Sequence, residues 1–151
     1  MDELITVSIG LGLVLSLIFS ELFALVAGGM VVPGYMAISL HNPTAIAATL
    51  VIAFLTWLVV GSLGQYVVLF GRRRTALMVL VGFLFNALFA RYVASQVDLG
   101  AGFQAVGHII PGLIAIWFER QGAIATTATL GLAMVTVRLG LILIYGTELP
   151  A

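Results

Sequence analysis

The sequence predicts an all-α integral membrane protein with about six transmembrane helices, arranged as two inverted repeats of helix, Pro-Gly-broken helix, helix. Of its 151 residues, 62% are hydrophobic and only 8% are charged, whereas a soluble domain carries about 25% charged residues. Segment 29–49 also aligns without a gap on 107–127, with nine of 21 positions identical and a shared Pro-Gly. Such self-similarity indicates a duplicated unit. We expect one transmembrane domain over 1–151, with repeat 1 at about 4–70 and repeat 2 at about 75–146.

The first repeat contains two uninterrupted apolar stretches and one that is broken. A bilayer-spanning helix needs about 17–25 apolar residues, and Leu4–Ser20 and Thr44–Leu63 meet this requirement. The stretch Phe23–Leu40 contains Pro33, which cannot donate a backbone hydrogen bond and disfavours helix in the residue before it. We therefore expect this second span to break near its middle, with a short helix starting at Pro33.

The second repeat has the same plan. Thr75–Tyr92 and Ala123–Tyr145 are long enough to span the bilayer, and Phe103–Phe118 is interrupted at Pro111. The more polar stretch Val93–Gln104 is predicted to be a loop at the membrane surface.

The charges predict an orientation. Gly71–Arg74 is the most charged loop, and we place it in the cytoplasm because cytoplasmic loops are enriched in arginine and lysine. Three crossings per repeat then place the predicted turn Glu119–Gly122 on the same side and both termini outside. The alternative is four crossings, with the two Pro-Gly segments as re-entrant loops and the repeats parallel.

The two Pro-Gly breaks are the main candidates for a functional site. A helix that begins at proline leaves N–H groups without intrahelical partners, and its positive end attracts anions. The competing interpretation is a pair of packing kinks, and for the two arginines near the outer interface it is contact with lipid headgroups. The candidate anion path comprises Pro33, Gly34, Tyr35, Pro111, Gly112, Leu113, His108, Arg91 and Arg138.

The charged residues of the predicted cytoplasmic face are candidates for docking a partner protein. This set comprises Glu21, Arg72, Arg73, Arg74, Glu119 and Arg120. Catalytic and metal-binding residues are not predicted, because the sequence lacks cysteine, a Walker-type phosphate loop and a metal-ligand spacing. The zero net charge argues against nucleic-acid binding.

Five blocks in this order and spacing resemble the PgsC/CapC family, the small integral-membrane subunit of bacterial poly-γ-glutamate synthase. They are Leu17–Glu21, Gly29–Tyr35, Leu69–Arg73, Gly107–Ala115 and Arg120–Gly122. The resemblance runs from about Leu11 to Tyr145.

The resemblance implies a non-catalytic subunit that anchors a cytoplasmic, Mur-ligase-like amide ligase and supports synthesis and export of the glutamate polymer. It implies that ATP and a divalent metal belong to the ligase, with no cofactor in this chain, and that a further membrane-anchored subunit is often associated with export. The alternatives are a purely structural anchor, a stand-alone small-solute exporter with inverted repeats, and a subunit that contributes residues to polymerisation. Homo-oligomerisation stays open.

Overall fold

The computed structural model describes residues 2–68, 70–96 and 107–146. Every regular element in these ranges is helical, which confirms the all-α prediction. A 3₁₀ turn, Ser39–His41, follows the second helix. The six α-helices are α1 (Asp2–Phe23), α2 (Val32–Ile38), α3 (Pro43–Tyr66), α4 (Arg72–Gln96), α5 (Ile110–Gln121) and α6 (Ala123–Tyr145).

The predicted breaks at the two prolines are confirmed, although each short helix begins one residue before its proline. Pro33 and Pro111 occupy the first turns of α2 and α5, where a missing N–H costs nothing and the fixed φ suits the helix. The second span is not helical before its break, however, because residues 24–31 form an irregular segment. Ala24, Gly28 and Gly29 all have positive φ in this segment, which an α-helix does not tolerate.

Two predicted loops are helical instead. Arg72–Arg74 forms the first turn of α4, and the predicted turn at Glu119–Gly122 is reduced to Gly122. Gly122 has a φ of +94°, a conformation that glycine adopts without strain, so one residue is enough to separate α5 from α6. The predicted surface loop Val93–Gln104 is helical up to Gln96, and its remainder lies outside the described residues.

Each half of the chain contains one very close approach between a long helix and a short one. A methyl group at Gly12 of α1 would lie 2.7 Å from the backbone nitrogen of Gly34 in α2. A methyl group at Gly82 of α4 would lie 2.8 Å from the Cα atom of Gly112 in α5. Only glycine on both helices allows the backbones to come this close. The Pro-Gly pair of each half is therefore held against a glycine of the preceding long helix.

The two halves also pack across each other. Helix α2 contacts α6 and helix α5 contacts α3, while α1 and α4 contact α6 and α3, respectively. Buried side chains from both halves form one core, which includes Val32, Met36, Ile114 and Leu130. The matched contacts are those that a duplicated unit would make; the inverted relation of the halves stays a prediction.

Within the described residues, four helices are long and apolar enough to cross a membrane: α1, α3, α4 and α6. Their outer faces carry many exposed large apolar side chains, such as Leu17, Phe54, Leu88 and Leu139, which is the surface expected of a protein that faces lipid. Helices α2 and α5 have 7 and 12 residues and are too short to span a bilayer alone.

Candidate functional site

Both helix starts named by the sequence lie inside the protein. Pro33, Gly34, Pro111 and Gly112 are all buried, and the hydroxyl of Ser8 on α1 donates a 2.8 Å hydrogen bond to the carbonyl of Gly34. Tyr35 is exposed and Leu113 is half-buried. The first turns of α2 and α5 are thus surrounded by protein, whereas the residues just before them, Val31 and Ile109, are 40% and 53% exposed.

The side chains around the two starts are apolar. Val32 and Ile110, the first residues of α2 and α5, belong to the same core cluster, together with Ala27, Ile114 and Phe118. Gly28 approaches the Ile114 side chain, where an added methyl group would lie 3.3 Å away. The two short helices therefore begin in a shared, closely packed region of the described chain.

A buried polar side chain lies next to the residues that precede α5: this is Asn86 of α4, which is 2% exposed. Its amide nitrogen lies 3.1 Å from the carbonyl oxygen of Gly107 and 3.1 Å from Nδ1 of His108. The ring of Phe83 packs edge-on against the His108 ring, with 6.1 Å between centroids. The buried amide of Asn86 thus holds His108 in place just before α5. The sequence named His108 as a candidate site residue but did not predict its contact with Asn86.

The two arginines predicted to line the path lie on different helices. Arg91 is exposed on α4, and Arg138 is half-buried on α6 beside Val137, which packs on the core. Among the described residues, no ion pair involves either of them. Their place in an anion path stays a prediction.

The candidate docking residues on α4 and α5 lie together where α4 begins and α5 ends. Arg74 at the start of α4 forms an ion pair with Glu119 near the end of α5. The Arg120 guanidinium carbon lies 5.4 Å from the centre of the Trp117 ring, within range of a cation–π interaction. Arg72, Arg73 and Arg120 are exposed. This group is the charged end of the molecule.

Gln121 joins the charged end to the other half of the chain. Its side-chain oxygen accepts a hydrogen bond from the backbone nitrogen of Val26, and its side-chain nitrogen donates to the Val26 carbonyl oxygen. Val26 lies in the irregular segment between α1 and α2. A backbone unit outside any helix is thereby satisfied at both of its polar atoms.

Sequence reasoning missed a surface groove between α4 and α5. Its volume is about 780 Å³, and its walls include Val79, Leu80, Phe83 and Ile109. Arg72 and Arg120 also line it. We call this cavity the α4–α5 groove. No periodicity reveals it, because it depends on how two helices from distant parts of the sequence lie against each other.

The described part of the chain contains no group of three or more acidic or histidine side chains that could hold a metal ion. What it offers chemically is an arginine-rich end and two buried half-helices. Both features suit binding and assembly.

Comparison with known proteins places these features in a family. Residues 11–127 match the family model described as capsule biosynthesis CapC. The chain is 36% identical over 118 residues to the PGA biosynthesis protein CapC of Bacillus subtilis strain 168, covering 77% of this chain and 78% of that protein. It is 34% identical over 125 residues to the capsule biosynthesis protein CapC of Bacillus anthracis, covering 82% and 83%. No solved structure matches the chain. The chain therefore belongs to the capsule biosynthesis CapC family.

Proposed function

We propose that this protein is the small membrane subunit of a complex that makes a poly-γ-glutamate capsule or secreted polymer, and that it docks the ATP-dependent ligase of that complex. Two relatives are named for PGA or capsule biosynthesis. The observation that carries the docking role is the charged end, where arginines that form no ion pair within the described residues stand beside the exposed side chains of Tyr66, Val68 and Phe70. ATP and the divalent metal are assigned to the ligase, since phosphoryl chemistry uses metal-bound nucleotide.

The proposed docking surface is the loop between α3 and α4 together with the start of α4. Tyr66, Val68 and Phe70 are 88%, 77% and 79% exposed, and Arg73 is exposed beside them. Tyrosine, phenylalanine and arginine are enriched at protein–protein interfaces and often dominate their energetics. Arg74 and Glu119 contribute less net charge because they neutralise each other.

The docking role is tested by replacing Phe70 with Ser and Arg73 with Gln and measuring how much ligase co-purifies from the native host. Neither side chain has a described contact within the chain, so insertion should be unchanged. We expect recovery of the ligase to fall about ten-fold or more, the loss typical of two interface anchors. A control variant, Leu139→Ser, changes an apolar residue on α6 that is also more than half exposed. Unchanged recovery of ligase with the double variant would exclude this surface.

The proposed orientation places the charged end in the cytoplasm. The chain has no native cysteine, so single cysteines report cleanly. Val68→Cys should react with a membrane-impermeant thiol reagent only after the membrane is opened, whereas Tyr145→Cys at the end of α6 should react in intact cells. Reaction of the first in intact cells would reverse the orientation and remove the docking role.

Export of the polymer is the second part of the proposal. The feature that favours it is the pair of half-helices that begin in the interior, whose positive ends suit carboxylates. Because apolar side chains fill the region around them, passage requires an opening of the core or a path shared with another subunit. Arg91 and Arg138 provide the cleanest test. Changing both to Gln should leave polymer synthesis intact and cause polymer to accumulate inside the cell. Normal secretion by this variant would remove these arginines from the path.

A further inference from the structure

The α4–α5 groove has a charged mouth and apolar walls. Arg72 and Arg120 stand at the end where α4 begins and α5 finishes. Farther along, the walls are formed by Leu80, Phe83 and Ile109, whose side chains are 57%, 44% and 53% exposed. A ligand that fills this groove must therefore carry negative charge at one end and be apolar along its length.

The two arginines at the mouth are not neutralised within the described chain. The nearby carboxylate, Glu119, is paired with Arg74. Arg120 is held over the Trp117 ring, an arrangement that orients the guanidinium without cancelling its charge. Two guanidinium groups without an ion pair in the described chain, one of them oriented by an aromatic ring, favour a phosphate, which arginine binds with bidentate geometry.

The length of the groove favours a lipid acyl chain over a partner's transmembrane helix as its ligand. From Arg72 to Phe83 is about 16 Å of α4, at 1.5 Å per residue. This is close to half of the ~30 Å hydrocarbon thickness. An acyl chain of one leaflet has this length, whereas a partner's transmembrane helix would continue across the second half of the bilayer.

The first half of the chain supplies an internal contrast. Gly12 and Gly82 make equivalent contacts with the short helices. If the two halves are aligned on these glycines, Asp2 corresponds to Arg72 and Glu3 corresponds to Arg73. The sequence therefore places acidic residues where the second half has its arginines. An anionic ligand is expected to discriminate between the two halves.

We propose that the α4–α5 groove is a binding site for one anionic glycerophospholipid, with its phosphate between Arg72 and Arg120 and an acyl chain along Leu80 and Phe83. Basic pockets between transmembrane helices on the cytoplasmic side commonly hold such headgroups. The site shares Arg72 with the start of α4 but uses neither Phe70 nor Arg73, and it is tested on this chain alone, without the ligase.

The experiment is native mass spectrometry of the purified chain in detergent, titrated with phosphatidylglycerol or with phosphatidylcholine of the same acyl chains. We expect one phosphatidylglycerol to bind with at least ten-fold preference. The double change Arg72→Gln and Arg120→Gln should remove this preference, as two arginines near a phosphate are worth at least about ten-fold in affinity. Arg73→Gln and Arg91→Gln together are the matched control, with the same loss of charge outside the groove.

A second pair of variants tests the apolar part of the site. Leu80→Trp fills the groove and should weaken phosphatidylglycerol binding. Leu84→Trp, one turn along α4 at a residue that is 50% exposed and does not line the groove, should not. Glycerol 1-phosphate in excess should compete only weakly, because it lacks the acyl chain. Equal binding of the two lipids, equal loss with the control arginines, full competition by glycerol phosphate, or a lipid-free dimer that covers the groove would each overturn the proposal.

Discussion

The close approach of Gly12 to Gly34 predicts that alanine is more destabilising at Gly12 than at Gly10 of the same helix. In Gly12→Ala, the new methyl carbon would lie 2.7 Å from the nitrogen and 2.8 Å from the Cα atom of Gly34. The favourable separation of such atoms is about 3.5–4.0 Å, so α1 and α2 must move apart by close to 1 Å. Overpacking of this kind costs about 1–3 kcal/mol. Gly10, one half-turn earlier on α1, has no atom within 4 Å of the equivalent position.

The comparison of Gly12→Ala with Gly10→Ala isolates the packing term. Both changes gain the same helix propensity, about 1 kcal/mol for alanine over glycine, and this gain cancels in the difference. The free energy of unfolding, measured by SDS titration of the purified chain in mixed micelles, should therefore be about 1–3 kcal/mol lower for Gly12→Ala than for Gly10→Ala. That difference corresponds to about 5- to 150-fold in the unfolding equilibrium. Equal stability of the two variants would refute the close approach of α1 and α2.

Three further predictions concern polar contacts. Asn86→Ala should lower the free energy of unfolding by about 1–3 kcal/mol, because it leaves a carbonyl and a ring nitrogen without their donor. Ser16→Ala removes a buried hydroxyl that has no partner in the described chain, so it should not lower this free energy. An equal loss of stability in the two variants would contradict the Asn86 contacts. Arg74→Glu and Glu119→Arg should each cost about 0.2–1 kcal/mol, and the double exchange should recover most of the loss; additive losses would show that the pair does not form. Gln121→Glu removes the donor to the irregular segment after α1, so amides there should exchange with deuterium faster, and an unchanged rate would exclude the contact.

The sequence was informative where one residue controls the local backbone. Pro33 and Pro111 begin short helices because the proline ring permits only the first turn. The bounds Ala123–Tyr145 of α6 are confirmed, and the prediction that Arg74 and Glu119 share one end agrees with their ion pair. Each of these inferences depended on one local feature of the sequence: a helix-breaking proline, an uninterrupted apolar stretch or a charged residue.

The sequence was uninformative where the cause is a distant contact. The segment before Pro33 is apolar throughout and was predicted to be helical, but glycine conformations and the hydrogen bonds to Gln121 hold it in an irregular form. The glycine contacts were missed because Gly34 follows Gly12 by 22 residues, whereas Gly112 follows Gly82 by 30. A gapless alignment that matches Gly34 with Gly112 therefore does not match Gly12 with Gly82, and the internal repeat is visible only from the short helices onward.

The hydrogen bonds between Gln121 and Val26 impose an order on biogenesis. Val26 is inserted early, yet its partner is synthesised 95 residues later. Until then its N–H and C=O groups must be satisfied by the translocation machinery or by water, because lipid offers no partner. The nascent first half is thus expected to stay beside the insertion machinery until α5 is complete. A chain truncated before Gln121 should be degraded, and the two halves made as separate polypeptides should rescue each other only when they are co-expressed.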